Sequence, residues 1–372
     1  MADVGPNEWL VEEMFDQYKA DPNSVPESWR EFFADYRVPP APAAPAPQAS
    51  PTPTPSPPVP TGTALAARPE AAEVGVPLRG AAARIVANME QSLGVPTATS
   101  VRQVPAKLLE VNRKILNNHL SRTRGGKVSF THFIGYAIVR ATNKVPVMNS
   151  SFVAADTTGP ARVVTHKNLG LGLAVDQTKS DGSHTLLVPV IKNANHLDFH
   201  GFWSAYEELI RKVRTGKITP DDFAGATMSL TNPGTIGTVS SVPRLMPGQG
   251  AIVGVGSLDY PAEYQAADPS TLAKLGVSKV MTLTSTYDHR IIQGAESGEF
   301  LQWVHKFLLG EEGFYDDIFR SMGVPYEPVR WRRDATGDSL DEERSRYAKQ
   351  VHVHTLINMY RVRGHLIADL DP

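Results

Sequence analysis

The chain of 372 residues contains no cysteine. That absence excludes a disulfide scaffold, a thiolate-ligated zinc or iron–sulfur centre, and a protein thiol acting as nucleophile. An excess of either charge is also lacking. The 37 basic and 39 acidic side chains leave a formal net charge of −2, so a whole-chain polybasic nucleic-acid binder is not expected. No apolar run approaches the ~18 residues that a membrane span needs. The acidic start from Met1 to Trp9 has neither the basic head nor the apolar core of a secretory signal. A cytoplasmic protein that binds neither nucleic acid nor membrane is therefore expected.

Several cofactor motifs are absent as well. There is no G-x-x-x-x-G-K-[ST] phosphate loop. The glycines of Leu169–Val175 and Gly248–Gly256 fail the dinucleotide fingerprint, because Val175 and Val253 stand where its third glycine belongs. His196 and His200 have the H-x-x-x-H spacing of a zinc protease helix, but Leu197 replaces the glutamate that such a site requires. No metal site is expected.

What is present falls into four stretches. Residues 1–38 are aromatic-rich. Trp29, Phe32, Phe33 and Tyr36 recur at helical spacing, while Trp9, Leu10, Met14, Phe15 and Tyr18 suggest a second short helix across the Asp21–Ser24 turn. Two readings stay open for this unit. Its rings bury one another, or, since ~38 residues make a poor independent core, the face docks on another subunit. Residues 39–77 form a Pro/Ala-rich linker, in which half of Pro39–Pro60 is proline. Such composition favours an extended, polyproline-type tether.

From 78 to 310 the pattern is α/β. Phe130, Phe133, Ile134, Ala137, Ile138 and Ala141 form a helical stripe after Ser129, a good N-cap. Phe202–Val213 reads as a helix stopped by Gly216, and Glu296–Leu308 as another. Leu169–Asp176, Leu186–Ile191, Ala226–Asn232, Ala251–Ser257 and Val280–Tyr287 read as strands, the fourth apolar enough to be central. After Gly310 the character changes again. Gly313–Tyr326 reads as a short helix and turn, and Asp341–Gly364 as a helix opening a further domain.

One strand ends in His289-Arg290-Ile291-Ile292-Gln293-Gly294, and this run resembles the H-x-x-x-D-G signature of the dihydrolipoyl acyltransferases, the E2 components of 2-oxoacid dehydrogenase complexes. Other segments match in the same order. They are Arg84–Ser92, Phe130-Thr131-His132, Asn168–Leu171, Leu187–Asn193, Phe223-Ala224-Gly225, Leu230–Gly234 and Pro247–Gly256. The aromatic unit, the tether, this block and the tail Asn358–Leu366 together resemble the actinobacterial multifunctional 2-oxoglutarate decarboxylase/dehydrogenases, in which a succinyltransferase domain precedes a thiamine-dependent E1 component. On that resemblance residues 1–38 and 311–372 are E1-type segments, the latter the truncated start of the E1 region.

The resemblance implies a two-layer sandwich of mixed β-sheet and helices, like chloramphenicol acetyltransferase, assembled as a homotrimer in which the catalytic histidine and an oxyanion donor meet across a subunit interface. It implies succinyl transfer between dihydrolipoamide and coenzyme A, with His289, Thr231 and Gln293 as site residues. The residue types suit that chemistry. A thiol of pKa ~8.5 is only a few per cent ionised at pH 7, and a neutral imidazole can take its proton as it attacks a thioester. A hydroxyl such as Thr231 can then donate to the oxyanion. Gln293 departs from the usual Asp or Asn, and an amide cannot stabilise an imidazolium by charge. No lipoyl-lysine D-K-A hairpin is present, so the lipoyl group is expected on a separate lipoyl-domain protein. Thiamine diphosphate and Mg belong with the E1 region, whose G-D-G motif the chain lacks. A catalytically weak trimeric assembly scaffold is the alternative, and an acyltransferase for a small-molecule acceptor is a third reading.

Overall fold

The structure is a computed structural model that describes residues 8–22, 24–34, 81–123, 125–157, 159–178 and 184–331, with positions 349, 352, 353, 355–357, 359 and 360. Tyr36 and the 39–77 linker lie outside the described residues. Two units are distinguished, Met1–Val329 and Arg330–Pro372. In the second, the described positions from Lys349 to Tyr360 are helical, within the helix expected there.

The first unit opens with helices α1 (Glu8–Ala20), α2 (Glu27–Ala34) and α3 (Ala81–Leu93). Strand β1 (Thr97–Pro105) and helices α4 (Lys107–Arg122) and α5 (Phe130–Lys144) follow. Ser129 caps α5 as its sequence suggests, its Oγ accepting from the His132 N–H, and the His132 ring returns a bond to the Ser129 N–H. Next come the β2 (Ser150–Val153) and β3 (Arg162–Thr165) hairpin, then β4 (Leu171–Leu173), the β5 (Val175–Thr178) and β6 (His184–Leu187) hairpin, and β7 (Val190–Ile191). Helix α6 (Phe199–Thr215) ends at Gly216, whose left-handed φ of 64° needs no Cβ relief. The remainder is β8 (Met228–Thr231), β9 (Ala251–Val255), α7 (Pro269–Lys274), β10 (Val280–Asp288), α8 (Gly294–Leu308) and α9 (Phe314–Ser321).

The main sheet runs β1-β10-β9-β8-β4-β7. It is mixed, as expected: β9–β8 and β8–β4 are parallel, and the other pairs antiparallel. β9 lies between β10 and β8 and is buried along its whole length, in keeping with its apolar run. Phe133, Ile138, Phe202, Phe300, Val304 and Phe307 of α5, α6 and α8 pack into the same core as Leu230, Val253 and Leu283 of the sheet. The two long strand-like runs are each broken by a change of partner. Residues 169–176 split into β4 in the sheet and β5 in a separate hairpin, and 186–191 into β6 and β7.

Packing does not stop near Gly310, where the sequence places a boundary. Phe314, Tyr315, Ile318, Phe319 and Met322 of the α9 region bury in the main core. Asn112, itself fully buried, grips the Val329 backbone by donating to its carbonyl (2.9 Å) and accepting from its N–H (2.8 Å). A composition shift marks a change in polarity, but the apolar face of a short helix suffices to extend a core across it.

Gly250 shows how tightly the sheet end is assembled. A Cβ added there would lie 1.9 Å from the Ser150 carbonyl oxygen, a backbone atom that cannot rotate away. Gly250→Ala should therefore cost about 1–3 kcal/mol of stability or more. The check is a urea midpoint, and an unchanged value would mean that β2 moves aside freely.

Candidate active site

β10 delivers His289 to one end of the sheet. Its backbone holds it there: Asp288 N donates to Gly250 O and His289 N to Pro96 O, both at 2.9 Å. The imidazole Nδ1 lies 3.1 Å from the Ile292 carbonyl oxygen. A carbonyl only accepts, so Nδ1 carries the proton, and Nε2 keeps the lone pair a base requires. The Tyr287 ring meets the imidazole edge to face, with centroids 5.5 Å apart. His289 is exposed, so Nε2 is open to a ligand.

Arg290 does not face outward as an anion ligand. Its Nε and Nη2 grip the Asp288 carboxylate at 2.6–3.2 Å, and the guanidinium lies 3.8 Å over the Phe152 ring. The Asp288 hydrogen bonds hold Arg290 above its ordinary value. Asp288 is buried, so this pair pins the turn beneath the histidine.

Gln293 stands at the N-cap of α8, where its backbone N–H donates to Glu296 Oε2 at 2.7 Å. Its side chain is exposed, and among the described residues no hydrogen bond joins it to the imidazole. The residue fixes the end of the 289–293 loop, and with it the Ile292 carbonyl that sets the tautomer.

Thr231 is the last residue of β8 and half-buried, and among the described residues its hydroxyl makes no hydrogen bond. Asn232, the next residue, donates to Thr131 Oγ1 at 2.8 Å, tying this strand end to the first turn of α5. Behind Thr131 the Tyr206 hydroxyl is pushed up to about 12 by burial, so it stays protonated. A cavity of about 250 Å³ opens here, lined by Thr131, Ile134, Asn232, Gly234, Leu258 and Met281 among others.

The strand register decides how the two residues relate. Thr231 pairs with Gly254, which pairs with Thr284. His289 lies five residues further along β10, so roughly 17 Å of strand and two strand spacings separate them, close to 20 Å in all. Within one chain His289 and Thr231 therefore occupy opposite ends of the sheet. The Asn232–Thr131 link and the Pro96 and Ile292 carbonyls carry no motif of their own; only Asn232 and Ile292 lie near Thr231 and His289 in sequence.

A second histidine–hydroxyl pair invites comparison. Ser151 Oγ lies 2.7 Å from His166 Nε2, beside a cavity of about 330 Å³ that His166 helps to line. Ser151 donates to Gly248 O at 2.6 Å, so it must accept from the imidazole. That polarity is the reverse of an activated nucleophile.

Residues 70–313 match the catalytic domain of the 2-oxoacid dehydrogenase acyltransferases. The chain belongs to that family. It is an acyltransferase of the E2 type. Residues 4–38 match the 2-oxoglutarate dehydrogenase N-terminus. A multifunctional 2-oxoglutarate metabolism enzyme of Mycolicibacterium vanbaalenii is 51% identical over 99% of the chain, and its namesake from Mycobacterium sp. strain JLS 48% identical over 99%. The chain spans about a third of the length of these relatives, 32% and 33%. Among solved structures, a probable dihydrolipoamide acetyltransferase of Listeria monocytogenes shares the fold, with a TM-score of 0.54 and 24% identity over 69% of this chain and 99% of that one. The Azotobacter vinelandii dihydrolipoamide acetyltransferase gives 0.52 and 25% over 63% and 90%. That structure concerns the catalytic roles of a serine, a histidine and an asparagine four positions after the histidine.

Proposed function

We propose that this E2-type acyltransferase moves a succinyl group between dihydrolipoamide and coenzyme A within a 2-oxoglutarate dehydrogenase system, with a site made by two protomers of a homotrimer. His289 of one protomer is the base, and Thr231 of its neighbour donates to the oxyanion. The observation that carries this reading is their placement at opposite ends of one sheet, each open: a base with a free Nε2 at one end, an unengaged hydroxyl beside a cavity at the other. The Azotobacter residue set supports it, since Thr231, His289 and Gln293 have the same order, and Gln293 stands four positions after the histidine.

The reaction follows from these groups. Nε2 takes the proton of the coenzyme A thiol as its sulfur attacks the succinyl thioester of the lipoyl group. The tetrahedral oxyanion accepts a hydrogen bond from the Thr231 hydroxyl. Collapse expels the lipoyl sulfur, which takes the proton back from the imidazolium, and the histidine is restored. The Ile292 carbonyl keeps Nδ1 protonated throughout, and Gln293 holds that carbonyl by closing the loop. The lipoyl group comes from a separate lipoyl-domain protein.

The names of the longer relatives support succinyl over acetyl as the acyl group. The test is transfer to free dihydrolipoamide from succinyl- and from acetyl-coenzyme A. A kcat/KM at least tenfold higher for succinyl is expected, and equal or reversed values would overturn the acyl assignment while leaving the chemistry intact.

A further inference from the structure

The α1–α2 pair does not close on itself. Its rings do cluster, Phe33 lying 5.1–5.5 Å from Phe15, Tyr18 and Trp29. Yet Val11, Val25, Trp29 and Phe33 are buried in one cluster with Leu187, Val213, Ile218 and Phe223 of the acyltransferase domain. Trp29, 2% exposed, anchors the contact, and its indole N–H donates to the Ile218 carbonyl at 3.2 Å. The partner of the aromatic face is thus a surface on the same chain.

That surface is braced without help from the helices. Asp222 accepts from Thr219 N, Thr219 Oγ1 and Lys212 Nζ at 2.8–2.9 Å, which locks the 217–223 loop against the end of α6. The cluster is also distinct from the main core, and Val175 is the residue that packs against both. Between Ala34 and Ala81 run 46 positions, 35–80, including the proline-rich stretch. A helix pair on so long a connection is held by its seat and by an effective concentration of about millimolar, not by chain continuity.

We propose that residues 8–34 are a detachable docking ligand, and that the surface formed by Leu187, Val213, Ile218 and Phe223 is its binding site, filled by the segment of the same chain. Trp29 is the hot spot, a large ring filling a desolvated apolar seat with its one polar atom satisfied. The proposal is independent of the roles given to His289 and Thr231. One seat residue, Leu187, ends the β5–β6 hairpin, which leaves the sheet beside the Thr231 end, since Ala174 N donates to Leu230 O. Docking therefore touches the element next to the candidate oxyanion donor.

The test uses the full chain and a fluorescently labelled peptide of residues 1–38. In wild type the seat is filled by the tethered copy, so added peptide binds weakly. Trp29→Ala empties the seat, and the peptide should then bind at least tenfold more tightly. Equal affinity for both chains, or none for either, overturns the proposal. Hydrogen exchange reads the fold in parallel: residues 8–34 of Trp29→Ala should lose protection while β9 and β10 keep theirs. The double variant Phe15→Ala/Phe33→Ala, which leaves Trp29 and the seat in place, should behave alike. If both variants lose β9 and β10 protection, the helices belong to the folding unit and are not a detachable ligand.

Discussion

His289→Ala should lower kcat for succinyl transfer by about 10²–10⁴, the usual contribution of a positioned general base. KM should change little, because the imidazole is assigned to proton transfer in the transition state and not to ground-state binding. The fold should survive, since the ring is exposed and its one side-chain bond goes to the Ile292 carbonyl. Steady-state kinetics of purified variant with succinyl-coenzyme A and dihydrolipoamide decide the matter. A rate within a factor of two of wild type would remove His289 from the role. Gln293→Ala should have a smaller effect, because the capping bond to Glu296 comes from the backbone and survives truncation of the side chain.

Mixing two dead chains should restore activity. Thr231→Ala should lose about 10²–10³ of kcat as an oxyanion donor is removed. Each variant alone places a defect in every two-protomer site. In a mixed oligomer, some interfaces join the intact His289 of one variant to the intact Thr231 of the other. If equal amounts assort at random around a closed ring, about one quarter of the sites carry both groups. Co-refolding the two at equal ratio should therefore recover about a quarter of wild-type kcat per site. A site confined to one chain would give no recovery, and the near-20 Å separation inferred from the register would then need another explanation.

Much of the fold could be read from local pattern. The α5 stripe with its Ser129 cap, the α6 stop at Gly216 and the apolar β9 all obey rules that act over a few residues. Helix α4 was missed although it buries Leu108, Leu109, Leu116 and Leu120, and so were strands with mixed faces. β1 mixes exposed, half-buried and buried positions without a regular alternation at the sheet edge, and the β2–β3 hairpin is largely exposed beyond Phe152. Edge strands carry too little burial to impress a clear period on the sequence. The core runs past the composition change near Gly310 for a related reason. The α9 region is short and flanked by charge, and only its burial beside α5 and α8 reveals that it completes the core.

The sequence alone determined the kinds of groups available: an imidazole at a strand end, a hydroxyl after a second strand, no thiol, no lipoyl lysine. It also settled the family, because order and spacing of many segments are properties of a line of residues. Tertiary structure decided where those groups stand. Register set the histidine and the threonine at opposite ends of the sheet, a carbonyl three residues away chose the imidazole's tautomer, and an indole found its seat 189 residues along the chain. Each of these depends on contacts between distant segments, and cooperative packing, not local propensity, selects them.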